Sequence, residues 1–136
     1  MYLIDTMVLS ETFKRRPELR VIAWFQDVPA ADLFVSVLSI GGVERGIARE
    51  QGRNMPYAAR LAKWLDEVLT TYRDRILLAD VAIARRWGRL SQELGHSGPD
   101  LLIAATALEH GLAIVTRNRR HFERTGLPIV NPYEPQ

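Results

Sequence analysis

Short apolar runs alternate along this chain with longer stretches whose apolar residues recur at helical spacing. "YLID" opens as a buried strand that delivers Asp5 at its C-terminal end. Residues 8–15 read as a short helix closed by Pro17, and "LRVIAWFQDV" as a second with Val21, Trp24 and Phe25 on one face. "DLFVS" is a second strand. "SIGGVERGIAREQG" follows as a helix, with Ser39 as its N-cap and Gly52 as its stop. Leu61, Trp64, Leu65, Val68, Leu69 and Tyr72 mark a helix over residues 56–72. After a third strand, "RILL", Asp80 caps a helix that runs through Leu94 and carries Val81, Ala84, Trp87 and Leu90. "PDLLIAATALEHG" opens on Pro99, stops at Gly111 and is apolar almost all round, so it should be deeply buried. "LAIVT" and "LPIV" are strands, separated by a helical turn in "RNRRHFER".

Strands alternating with helices imply an α/β fold whose parallel sheet is covered on both faces. Crossovers of one hand bring the strand C-termini to one edge, where sites in such sheets form. The segment 92–99, with Gly95, Gly98 and Pro99, reads as a loop on the rim of that edge. No internal repeat, linker or low-complexity stretch divides the 136 residues, which reads as a single domain.

Composition narrows the chemistry. Without cysteine, disulfides and zinc–thiolate sites are excluded, which suits a cytoplasmic protein. The N-terminus, with its acid at position 5, does not read as a signal peptide, and no apolar run is long enough to span a bilayer. Net charge is only +2, yet all but two of the 18 basic residues are Arg. Arginine's planar fork suits phosphate, so the pairs Arg15–Arg16, Arg85–Arg86 and Arg119–Arg120 permit nucleic-acid binding without requiring it.

Five polar residues should meet at the sheet edge. Asp5 ends the first strand, Asp100 opens the buried helix, and Thr116, Arg117 and Asn118 follow the fourth strand. Taken singly, Asp100 could serve its helix dipole and Asn118 could cap a turn. Asp5 is harder to dismiss, because it ends an apolar strand, is followed by Thr6 and has no helix to cap at once. Together, two acids and an amide form an oxygen-rich set that can hold a hard divalent cation. Such a cation binds phosphate and activates water.

"LIDTMVLSE", "S..SIG.VERGIA" over 36–48, "PDLLIAATALEHGLAIVTRN" over 99–118 and "HF" at 121–122 resemble the PIN-domain family, in particular its VapC-like toxin ribonucleases. The resemblance spans nearly the whole chain, and the block 99–118 is its most specific part. It implies a three-layer α/β/α fold around a central parallel sheet of about five strands. It further implies Mg²⁺- or Mn²⁺-dependent cleavage of RNA, a homodimer and an antitoxin partner. By the family pattern, Asp5 and Asp100 are catalytic metal ligands, Asn118 takes a position held by Asp or Asn, and Thr116 borders the site. Two positions depart from it. Gly42 stands where a Glu is usual, and Met7 where Asn or Ser is usual. Glu44 is two residues further along the helix, a rotation of ~200°, and so should point away. Glu11, on the first helix, is another acid nearby, but it matches no metal-binding position.

Three classes of function compete. The chain is a metal-dependent ribonuclease toxin weakened at Gly42, a non-catalytic module that binds antitoxin or RNA, or a small-molecule enzyme on a flavodoxin-like sheet. The last ranks lowest, because neither "GLAIVTRN" nor "SIGGVERG" matches a glycine-rich phosphate loop.

Overall fold

The computed structural model describes residues 1–136. Five parallel strands form one sheet in the order β3-β2-β1-β4-β5. They are β1 (Tyr2–Ile4), β2 (Leu33–Ser36), β3 (Ile76–Leu77), β4 (Ala113–Val115) and β5 (Ile129–Val130). The helices are α1 (Thr6–Ser10), α2 (Leu19–Asp27), α3 (Val37–Gln51), α4 (Met55–Thr71), α5 (Val81–Leu94) and α6 (Pro99–His110). Two single 3₁₀ turns, Arg119–His121 and Glu123–Thr125, lie between β4 and β5. No helix is long and apolar enough to cross a membrane.

Successive strand residues face opposite sides of the sheet, and the two cores follow that alternation. Ile4, Val35 and Val115 face a cluster with Trp24 of α2, Val43 of α3 and Trp64 of α4. Leu3 and Ile114 face the other way, onto Ile103 and Ala107 of α6 and the fully buried Phe122. Helices therefore cover both faces, giving the three layers expected. The burial of α6 also matches its composition, with Leu101 and Ile103–Ala107 all inside. Gly111 closes that helix with φ of 66°, a left-handed conformation in which a Cβ is strained.

Four local expectations are corrected. The first helix begins at Thr6, not at residue 8, because the Asp5 carboxylate accepts the Thr6 N–H and caps it. The cap of α3 is Ser36, whose hydroxyl oxygen accepts from the Leu38 N–H; Ser39 lies inside the helix, buried. In α5, Val81 and Ala84 are exposed, and the inward stripe is Ile83, Trp87 and Leu90, packed on α6. Ile83 is ~200° of helical rotation from Val81, so the two cannot share a face. Finally, α5 ends at Leu94 as expected, with Gly95 at φ of 77°, so the loop before α6 is residues 95–98 and not 92–99.

Leu101 is fully buried beside Asp100, so Leu101→Ala leaves a cavity under the start of α6. It should lower unfolding stability by about 2–5 kcal/mol, read from the shift in urea midpoint.

Candidate functional site

Strand order decides which residues can meet. β1 lies between β2 and β4, so the C-terminal ends of these three strands deliver Asp5, Ser36 and Thr116 to one stretch of the sheet edge. This is also where the order of strands reverses along the chain, the usual location of a site in open α/β sheets. A cavity of about 390 Å³ opens there, and its lining includes Asp5, Thr6, Leu38, Asp100, Asn118 and His121.

Asp5 is only 8% exposed. Its two oxygens are held separately: the Thr6 N–H donates to Oδ1 at 2.8 Å and the Thr116 hydroxyl to Oδ2 at 2.8 Å. Burial pushes the Asp5 carboxyl above its ordinary range, opposed by those two donors and reinforced by the nearby Asp100 charge. Thr116 is fully buried, and its hydroxyl oxygen also accepts the Asn118 N–H at 3.1 Å. One threonine thus sets both the acid at the end of β1 and the backbone leading to Asn118. The Asn118 side chain approaches Met7 Sδ at 3.7 Å, a soft contact at the position the resemblance marks as polar. Asp100 stands in the first turn of α6, where the helix dipole favours a carboxylate.

The cavity brings Asp5, Asp100 and Asn118 together, and Thr116 lies directly behind Asp5. Two further polar residues of the lining, His121 and Thr6, were not expected there from the sequence. His121 Nδ1 lies 2.6 Å from Asp100 Oδ2. It could have been found, because it follows Asn118 by three residues in a 3₁₀ turn, a spacing that stacks side chains on one side. The Thr6 hydroxyl donates to Ser39 Oγ at 2.7 Å and ties α1 to α3 across 33 residues. No local signal in the chain announces that pair.

α3 is helical from Val37 to Gln51, which fixes the register around Gly42. Leu38 lines the cavity and Ser39 touches α1; Gly42 is one turn beyond both, on the same side. A Cβ built on Gly42 meets nothing within 4 Å. Glu44 is exposed and falls on the other side of the helix, in agreement with its expected direction. Glu11 is buried and fully engaged elsewhere, with Lys14, the Glu18 N–H and Tyr133.

No three His, Cys, Asp or Glu side chains gather into a cage for a metal ion. The donors present are two carboxylates and an amide, which suit Mg²⁺ or Mn²⁺ that keeps several waters. Asp5, desolvated and repelled by Asp100, is the kind of ligand whose charge such a cation would relieve.

Residues 2–127 match the PIN domain. The chain belongs to the PIN-domain family. A VapC ribonuclease from Sinorhizobium fredii, Y4jK, is 33% identical over 99% of both chains. The crystal structure of FitAcB from Neisseria gonorrhoeae superposes with a TM-score of 0.88 at 28% identity, covering 99% of this chain and 100% of that one. A toxin–antitoxin complex from Klebsiella pneumoniae gives a TM-score of 0.69 at 28% identity, again over 99% and 100% of the two chains. Family membership leaves the flavodoxin-like alternative without support.

The raised pKa of Asp5 has a consequence for stability. The folded state holds this proton more tightly than the unfolded chain, so ionised Asp5 costs stability above its folded pKa. That cost vanishes as pH falls below the unfolded value, about 4. In EDTA, Asp5→Asn should raise the melting temperature at pH 7. Scanning calorimetry should find the gain shrinking as pH is lowered toward 4.

Proposed function

We propose that this chain is the ribonuclease toxin of a toxin–antitoxin pair, acting with Mg²⁺ or Mn²⁺ and weakened by Gly42. The observation that carries the reading is the convergence of Asp5, Asp100 and Asn118 in one cavity at the strand C-termini. The VapC ribonuclease relative and the toxin–antitoxin neighbour support the same class of activity. The occupant of the antitoxin-facing surface is a partner protein, and the cavity's substrate is RNA.

Each residue has a task in this scheme. Asp5 and Asp100 hold the cation, and Thr116 and the Thr6 N–H fix the angle of Asp5. Asn118 supplies an amide to the same rim, its backbone set by Thr116. When bound, the cation supplies charge for the phosphate in the transition state and lowers the pKa of attacking water. Gly42 withholds an oxygen that a Glu would direct from the second turn of α3. The resulting loss is chiefly one of placement: loosely held reactants sacrifice more rate than affinity.

The same gap favours a second reading, in which the chain binds antitoxin or RNA and cuts nothing. Trp24 is buried against Tyr2 and Phe25 and belongs to the core, so it offers nothing to a partner. Tyr57 is different: with Phe13 it lines an open groove of about 370 Å³ flanked by Lys14, Arg15 and Arg60. Helix-in-groove docking there is independent of Gly42.

Gly42→Glu separates the two readings, because a Cβ at this position meets nothing within 4 Å. RNA cleavage should rise at least ~100-fold, the size of restoring one well-placed catalytic group. Added Mg²⁺ or Mn²⁺ should recover only part of that difference in the unsubstituted chain. Asp5→Asn or Asp100→Asn in the Gly42→Glu background should return cleavage to the floor. Equal rates with and without the Glu would refute the weakening. No cleavage from either protein would favour the binding module.

A further inference from the structure

The acidic cavity has a basic neighbour. A second notch, of about 330 Å³, is lined by Arg117, Arg119, Arg120 and Asn131, and it shares Asn118 and His121 with the cavity. A linear ligand leaving the acids over those two shared residues enters the notch directly. Its charge is opposite to that of the cavity. Of its three arginines, only Arg119 has a carboxylate partner, Glu134 Oε2 at 3.4 Å. Arg117 and Arg120 are exposed and belong to no ion pair.

Arg117 is nevertheless held. Its guanidinium lies over the Tyr133 ring, 4.6 Å from the centroid. Stacking occupies the face of the guanidinium and leaves its N–H edge available to donate. The ring is itself anchored: the Tyr133 hydroxyl donates to Glu11 Oε1 at 2.9 Å, and the Tyr133 N–H to Asn131 Oδ1 at 3.0 Å. Glu11 is 2% exposed and also accepts from Lys14 Nζ and the Glu18 N–H. This buried carboxylate, outside the proposed chemistry, fixes the platform on which Arg117 rests.

We infer that the Arg117–Arg120 notch is an RNA subsite, seating a backbone phosphate adjacent to the one at the acids, with Arg117 and Arg120 as its donors and Tyr133 and Glu11 as positioning residues. The inference rests on the ribonuclease reading and specifies where its substrate runs. A polyanion approaching two carboxylates gains little unless cationic contacts flank them, and phosphate contacts supply most of the affinity in sequence-independent binding.

Binding of a fluorescent single-stranded RNA 12-mer, followed by anisotropy in EDTA from 50 to 200 mM salt, tests it. Arg120→Ala, at a side chain with no partners to lose, should weaken binding roughly three- to tenfold and flatten the log–log salt slope by about 0.7. Arg117→Ala should do the same. Tyr133→Leu, which leaves every charge in place, should weaken binding while keeping the slope. Arg89→Ala, on the exposed face of α5, should change neither. If the unsubstituted chain binds RNA but Arg117→Ala and Arg120→Ala match it in affinity and slope, the subsite is wrong and the ribonuclease reading stands. The subsite is equally wrong if Arg89→Ala has as large an effect, because attraction is then diffuse. An unsubstituted chain that binds no RNA at 50 mM salt overturns the subsite, and the cleavage assay with metal decides the ribonuclease reading separately.

Discussion

The hydrogen bond from Thr116 to Asp5 is the constraint on which the proposed site depends. It joins the ends of β1 and β4, two strands far apart in the chain and adjacent in the sheet. It also holds a carboxylate ionisable in a place that burial makes unfavourable. A buried charge without such donors would be neutralised or expelled. Asp5 meanwhile caps α1, so strand, helix and acid are set by one side chain. The rest of the site inherits this arrangement: Thr116 orders Asn118, Thr6 reaches Ser39, and α3 is docked at the register that leaves Gly42 beside the cavity.

That geometry separates two properties often treated as one. The scaffold is complete, with two packed faces, an unbroken α3 and a cavity at the strand ends. Under the proposed chemistry, the donor set within it is short by one side chain. A Cβ at Gly42 meets nothing within 4 Å, so the proposed lack of an oxygen ligand there leaves the neighbouring packing untouched. Activity can therefore be lowered at this position without endangering the fold. The basic notch beyond Asn118 is likewise separable, because its donors come from Arg117 and Arg120 and its support from the C-terminal segment.

Much of this was legible in the sequence because apolar runs and caps are local signals. The strands at 2–4 and 113–115, the all-round apolar α6 and the Asp80 cap of α5 follow from residues within a few positions of each other. Expectations failed where a local signal had two readings. Ser36 and Ser39 are both acceptable caps, and the tertiary contact with Thr6 draws Ser39 inside. Val81 and Ile83 are both apolar, and only packing on α6 decides which turns inward. The site itself divides in the same way. Asp5, Asp100 and Asn118 could be placed on one edge from the alternation of strands and helices and the hand of the crossovers. His121 beside Asp100, and Tyr133 beneath Arg117, needed the chain to be folded.

The proposed chemistry turns on whether Asp5 and Asp100 together hold a cation at the C-terminal edge of the sheet. Crystals soaked in MnCl₂, with anomalous difference maps collected at the manganese edge, test this directly. The expected result is a peak within coordination distance of Asp5 and Asp100, ringed mostly by water and absent in Asp5→Asn crystals. Manganese ordered elsewhere on the protein, with no peak between the two carboxylates, would deny them that role.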